Sequence, residues 1–127
     1  MVLYLYVKYL IFTKNKKAAI EILGRVEEGE EVATSIIHVS EAINIVEARV
    51  GLRESLEFIE NALATENLSI LPVSRGSYEE ALFVALRYGI SPNDAVAALL
   101  SEDLGITEVY SFDKHFDNVP FITRIME

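Results

Sequence analysis

Hydrophobic side chains recur along this chain in two rhythms, one suited to strands and one to helices. The opening "VLYLYV" (residues 2–7) is apolar on both sides, which predicts a central strand of a parallel sheet. A helix is expected from about Lys16 to Glu28, where Ala19, Ile20, Leu23 and Val26 share one face and "EEGEE" closes the segment through Gly29. The short "EVAT" suggests a second strand, followed by a largely apolar helix from Ile36 to Val50. In "LRESLEFIENALATEN", Leu52, Leu56, Ile59 and Leu63 recur at steps of four, three and four, which makes one helical stripe. "LSILPV" reads as a strand that stops at a proline, and an amphipathic helix follows from about Ser77 to Arg87, ended by Gly89. "SPNDAVAALLSEDLG" is helical, "EVYSF" a strand, and "FITRI" a last edge strand. Strands separated by helices of about ten or more residues predict an α/β fold with a parallel sheet and helices on both faces.

Length and composition narrow this picture. A chain of 127 residues supports one core, so a single domain over residues 1–127 is expected. The hydrophobic share of 51% is high for a small monomer and points to a buried subunit interface. No uncharged apolar run approaches the ~18–20 residues of a membrane span. The N-terminal "MVLYLYVKYLIF" lacks a basic leader, carries Lys8 in its middle and has no small-residue cleavage site, so a cytoplasmic location is expected. Without cysteine, any metal falls to oxygen ligands or to His38 and His115. Residues 1–17 hold four lysines and no acid, so of 11 basic and 20 acidic side chains the remaining 110 residues carry 7 and 20, a net of −13. Such a body repels phosphate at long range, and nucleic acid would need a local basic patch, a metal ion or a partner's charges.

Three acids stand apart from the solvated ones such as Glu27, Glu28, Glu54 and Glu57. Glu41 lies in "SIIHVSEAINIVEARV", whose polar arc is narrowed to Ser40, Glu41, Asn44 and Glu47, so its carboxylate sits either at a rim or in a pocket. Asp94 in "SPND" has a structural reading: Ser91 as N-cap, Pro92 in the first turn, and Asp94 at the third position facing the positive end of the helix dipole. Asp113 ends a strand, a position that in open parallel sheets faces the ligand crevice, and it would equally cap the turn "KHFD". Asp117 fits the far side of that turn. His115 reads as an exposed turn residue that could also contact nucleic acid, and His38, among Ile36, Ile37 and Val39, as a packing residue.

The order and spacing of these pieces carry a resemblance. A strand opening the chain, "SxxxxSE" from Ser35 to Glu41, "DAVAA" opening a late helix, and the final "YSFDKHFDNVPFITRI" together resemble a PIN domain, specifically the small VapC-type toxins of prokaryotes. The resemblance implies a three-layer α/β/α sandwich around a central parallel sheet, in which clustered acids bind Mg²⁺ or Mn²⁺ and hydrolyse RNA phosphodiesters. Carried onto this chain, the metal-site acids are Glu41, Asp94 and Asp113 with Asp117 as an outer acid. Ser111 is the hydroxyl beside Asp113 in the catalytic set. The same resemblance implies RNA as substrate, a cognate antitoxin whose tail enters the acidic groove, and a homodimer, for which Leu52, Leu56, Ile59 and Leu63 with Phe58 are interface candidates if they are not core. The chemistry is coherent: gathered carboxylates repel one another unless a cation sits among them, and hard divalent ions prefer oxygen.

One departure stands out. PIN domains end the first strand in "hhDxN", and aligning "VLYLYVKYLIF" to that pattern puts Tyr6 at the aspartate and Lys8 at the asparagine. No Asp or Glu occurs before Glu21 to replace it. Tyr6 and Lys8 share one side of a strand, so the Lys8 ammonium either stands in for the cation or reaches solvent. Two functional classes follow: a metal-dependent endoribonuclease with impaired activity, or a degenerate PIN domain that binds without cleaving. A receiver-like phosphoacceptor domain is disfavoured, because no acid pair follows the first strand.

Overall fold

The computed structural model describes residues 28–111 and 113–125, together with the backbone of residues 2–4. The helix expected near Lys16–Glu28, apart from Glu28 itself, which lies in a turn, and the departing residues Tyr6 and Lys8 lie outside the described residues. Strand β1 (Val2–Tyr4) is followed by β2 (Val32–Ser35), helices α1 (Ile36–Arg49) and α2 (Leu52–Ala64), and β3 (Leu68–Leu71). Helices α3 (Arg75–Tyr88) and α4 (Pro92–Leu104) then lead to β4 (Glu108–Tyr110), a 3₁₀ turn (Lys114–Asn118) and β5 (Thr123–Ile125).

The five strands form one parallel sheet in the order β3-β2-β1-β4-β5. Leu3 pairs with Ala33 on one side and Val109 on the other, so β1 is central, as its two-sided apolar pattern predicts. "FITRI" supplies the edge, with Glu108, Val109 and Tyr110 opposite Thr123, Arg124 and Ile125. β3 stops where Pro72 removes the next N–H. Helices α1 and α2 pack together, as do α3 and α4, giving the expected three-layer α/β architecture.

Local chemistry explains the helix ends. Ser35 and Ser91 cap α1 and α4 by accepting the backbone N–H of His38 and Asp94, each at 3.1 Å. Helix α3 starts two residues before the expected Ser77, because Ser74 Oγ accepts the Ser77 N–H and makes Ser74 the cap. Gly89 and Gly105 close α3 and α4 in the left-handed conformation, which glycine adopts without a Cβ penalty.

Among the described helices, α4 is the most buried. Ala95, Val96, Ala97, Ala98 and Leu99 are all inside, so its small side chains let neighbours approach from every direction. They join Val32, Ala33, Val109, Tyr110, Phe116 and Val119 in one core. The stripe on α2 behaves differently: Phe58 packs against the core, while Leu52, Leu56 and Leu63 are more than half exposed. Leu82, Phe83 and Leu86 leave a second apolar surface on α3, whose Ala81, Val84 and Ala85 face inward. None of the helices among the described residues is long and apolar enough to cross a membrane.

Candidate functional site

The strand order decides where distant residues meet. After β3 the chain crosses to the other side of β1 and adds β4 there, so the order reverses at the β1–β4 boundary. In open parallel sheets the crevice beyond the carboxyl ends of the strands at such a reversal is the usual ligand site. Helix α1 leaves β2 directly at Ser35, which puts Glu41 in its second turn near that end. Only Gly105, Ile106 and Thr107 join α4 to β4, so α4 runs back along the sheet over about 20 Å and its N-terminus, with Asp94, returns to the same rim. Asp113 lies just past β4 and caps the 3₁₀ turn.

These three acids line one groove of about 510 Å³, with Tyr78, Ser91, Pro92, Asn93 and His115 completing its walls. Asp94, Asp113 and His115 each offer a ligand atom within 4.8 Å of the other two. The cap bends the turn so that Asp113 Oδ1 accepts the His115 backbone N–H at 2.9 Å and lies 3.0 Å from His115 Nδ1. Ser111 Oγ accepts the Asp113 N–H at 3.0 Å and fixes the backbone from the buried side. Glu41 stands outside the tight trio: Asn93 Nδ2 donates to its Oε1 at 3.1 Å, and the Tyr78 hydroxyl donates to Asn93 Oδ1 at 2.9 Å. This chain of bonds forms a ridge between the groove and a second hollow of about 460 Å³, walled further by Ile36, Ile37, Ser40 and Asn44.

Asp117 is placed elsewhere. Both its oxygens accept from Arg124, at 3.0 Å each, and it is not among the residues lining the groove. The Arg124 hydrogen bonds hold its carboxyl below the ordinary aspartate range; desolvation opposes them, and the charges of Arg124 and Lys114 add to the lowering. Ser111 is buried beneath the turn rather than on the groove wall. His38 is buried in α1, its ring Nδ1 2.5 Å from Ser35 Oγ, as a packing residue would be.

The chain matches the PIN domain family over residues 7–122. It belongs to the PIN domain family. This PIN domain is similar in structure to VapC20 of Mycobacterium tuberculosis, a toxin that cleaves the sarcin-ricin loop, with a TM-score of 0.82 at 16% identity over 100% of both chains. It also resembles a chain of VapBC2 from Rickettsia felis, solved bound to a DNA fragment from the promoter, with a TM-score of 0.71 at 16% identity over 100% of both chains. A toxin–antitoxin complex from Klebsiella pneumoniae gives a TM-score of 0.64 at 17% identity over 98% of each chain. At these identities the likeness concerns the fold. No curated protein is significantly similar in sequence.

The donor set fits a divalent ion. Ligands about 2.1 Å from a common octahedral ion lie roughly 3–4.2 Å apart, so a trio spread over 4.8 Å needs only small side-chain rotations to close on one. Among the groove residues, His115, Asn93 and Tyr78 were not placed in the site by the resemblance. His115 carried a signal in its position two residues after Asp113, where a capped turn folds the ring back toward the carboxylate. Asn93 carried a weaker one, next to Asp94 in the first turn of α4. Tyr78 carried none, because only the packing of α3 on α4 brings it there.

Proposed function

We propose that this PIN domain is a cytoplasmic metal-dependent endoribonuclease of the VapC toxin type, with its activity impaired by the tyrosine at position 6. The observation that supports this reading is the convergence of Glu41, Asp94 and Asp113 on one groove at the carboxyl rim of the sheet. Residues 41, 94 and 113 reach it from three separate elements, which general solubility does not require. Asp94 and Asp113 would hold Mg²⁺ or Mn²⁺, and Glu41, oriented by Asn93, would complete the acidic wall. Ser111 acts by fixing the backbone at Asp113. Asp117 serves as an outer acid through its grip on Arg124, which also reaches the Ser111 carbonyl oxygen at 3.5 Å. When bound, the ion supplies an acidified water for attack and neutralises charge building on the phosphate oxygens.

Losing one metal-site acid removes several kcal/mol of transition-state stabilisation if that ligand matters as such ligands usually do. The test is cleavage of a structured RNA with Mg²⁺ or Mn²⁺ by this chain beside its Tyr6→Asp, Lys8→Asn double variant. Cleavage by the variant, with little by the parent, is the expected result. Cleavage by neither would support the second reading, a degenerate PIN domain that binds a partner, which Tyr6 and Lys8 at the family's aspartate and asparagine positions favour. In the nuclease reading the partners are RNA and a cognate antitoxin, the latter in keeping with a structural neighbour described as a toxin–antitoxin complex. The exposed leucines of α2 and the Leu82, Phe83 and Leu86 surface of α3 supply apolar area for a homodimer, which light scattering would detect.

A further inference from the structure

We propose that His115 is a metal ligand, and that the mixed oxygen and nitrogen site it makes with Asp94 and Asp113 takes a first-row transition ion in preference to Mg²⁺. This inference rests on the metal-dependent reading above and specifies which ion that reading requires. A purely acidic site would suit Mg²⁺, which demands oxygen ligands in near-octahedral array and gives up its waters reluctantly. An imidazole nitrogen shifts the balance toward ions later in the first transition row, whose affinity for such sites rises from Mn²⁺ to Co²⁺ and beyond.

The geometry that supports this is local and specific. Asp113 caps the 3₁₀ turn, and the same Oδ1 that accepts the His115 N–H lies 3.0 Å from the ring Nδ1, so the imidazole is folded back over the carboxylate. Its side chain is 69% exposed at the groove wall, so a ring rotation toward an ion disturbs no core packing. One donor atom each from Asp94, Asp113 and His115 already falls within 4.8 Å of the others. Asp117, the outer acid that the family resemblance implies, is engaged at both oxygens by Arg124. His115 therefore occupies the place in the donor set that Asp117 does not.

The experiment uses the full chain, in four versions, and three probe ions. Mg²⁺, Mn²⁺ and Co²⁺ are titrated calorimetrically into the parent, His115→Ala, Asp113→Asn and the surface control Lys114→Ala, and bound Mn²⁺ is examined by electron spin echo for modulation from a coordinated ¹⁴N. The expected result is tighter binding of Co²⁺ and Mn²⁺ than of Mg²⁺, a loss of about tenfold or more for Mn²⁺ and Co²⁺ in His115→Ala with Mg²⁺ changed less than about threefold, and a ¹⁴N signal that disappears in that variant. Lys114→Ala should match the parent. Binding that is weakened by Asp113→Asn but unchanged by His115→Ala, with no ¹⁴N modulation, overturns the role of His115 and leaves the acidic site standing. Binding unaffected by Asp113→Asn, or absent for all three ions, overturns the metal site itself and this inference with it.

Discussion

Truncating Phe116 tests whether the turn that carries Asp113 and His115 is seated as described. Phe116 is 1% exposed at the centre of the Lys114–Asn118 turn, in one core with Val119 and Ile122. Phe116→Ala removes the ring and leaves a cavity, a change that costs about 3–5 kcal/mol at well-packed sites. That is a large part of the roughly 5–15 kcal/mol by which a domain is stable. At about 2.1 cal/mol/K per residue, 127 residues give an unfolding entropy near 0.27 kcal/mol/K, so the melting temperature should fall by about 10–20 °C. Urea titration and thermal melts followed by circular dichroism, both in metal-free buffer, measure the loss directly. Phe116→Leu, which keeps most of the volume, should cost less than about 1.5 kcal/mol, and the exposed Lys114→Ala should stay within about 0.5 kcal/mol of the parent. A loss below about 1 kcal/mol in Phe116→Ala would refute the reasoning, because a ring that deeply enclosed cannot leave so cheaply.

Two further outcomes follow from specific contacts. The Asp117 carboxyl, held low by Arg124, should titrate below the ordinary value of 3.8 and return toward it in Arg124→Ala; carbon-detected NMR titration reads both, and an identical midpoint in the two proteins counts against the pair. Because the folded value is the lowered one, whatever this exposed pair contributes is present above the unfolded aspartate's pKa and disappears as pH falls through the folded one. The Tyr110 hydroxyl donates to both oxygens of Glu30, at 2.8 and 2.7 Å, from a ring that is 1% exposed. Tyr110→Phe should therefore cost about 1–3 kcal/mol by urea titration with the circular dichroism spectrum unchanged, and a cost under about 0.5 kcal/mol would be inconsistent with a charge-assisted bond.

The placement of the acids bears on how two readings of one residue relate. Asp94 sits at the third position of a capped helix and also lines the groove, and Asp113 caps a turn and lines the same groove. A helix or turn N-terminus orients a carboxylate and supplies compensating backbone N–H groups, so the structural and the functional placement coincide rather than compete.

What the amino-acid order determined by itself was whatever depends on neighbours within about four residues. The serine caps of α1 and α4, the left-handed glycines after α3 and α4, the strand that stops at Pro72 and the two-sided apolar pattern of β1 are all of this kind. Periodicity likewise identified the α2 stripe, but it could not say what would cover Leu52, Leu56 and Leu63, since burial depends on what packs against a helix and not on the helix. The convergence of residues 41, 94 and 113 was decided only by tertiary structure, through the pairing of β1 with both β2 and β4 and the short return from α4. The same holds for the exchange between Asp117 and His115. They lie two residues apart in one turn, yet Arg124 on the edge strand takes the first away from the groove and the cap at Asp113 folds the second into it. Hydrogen bonds that close over a few residues are written locally, whereas a site assembled across a sheet exists only once the strands have found their order.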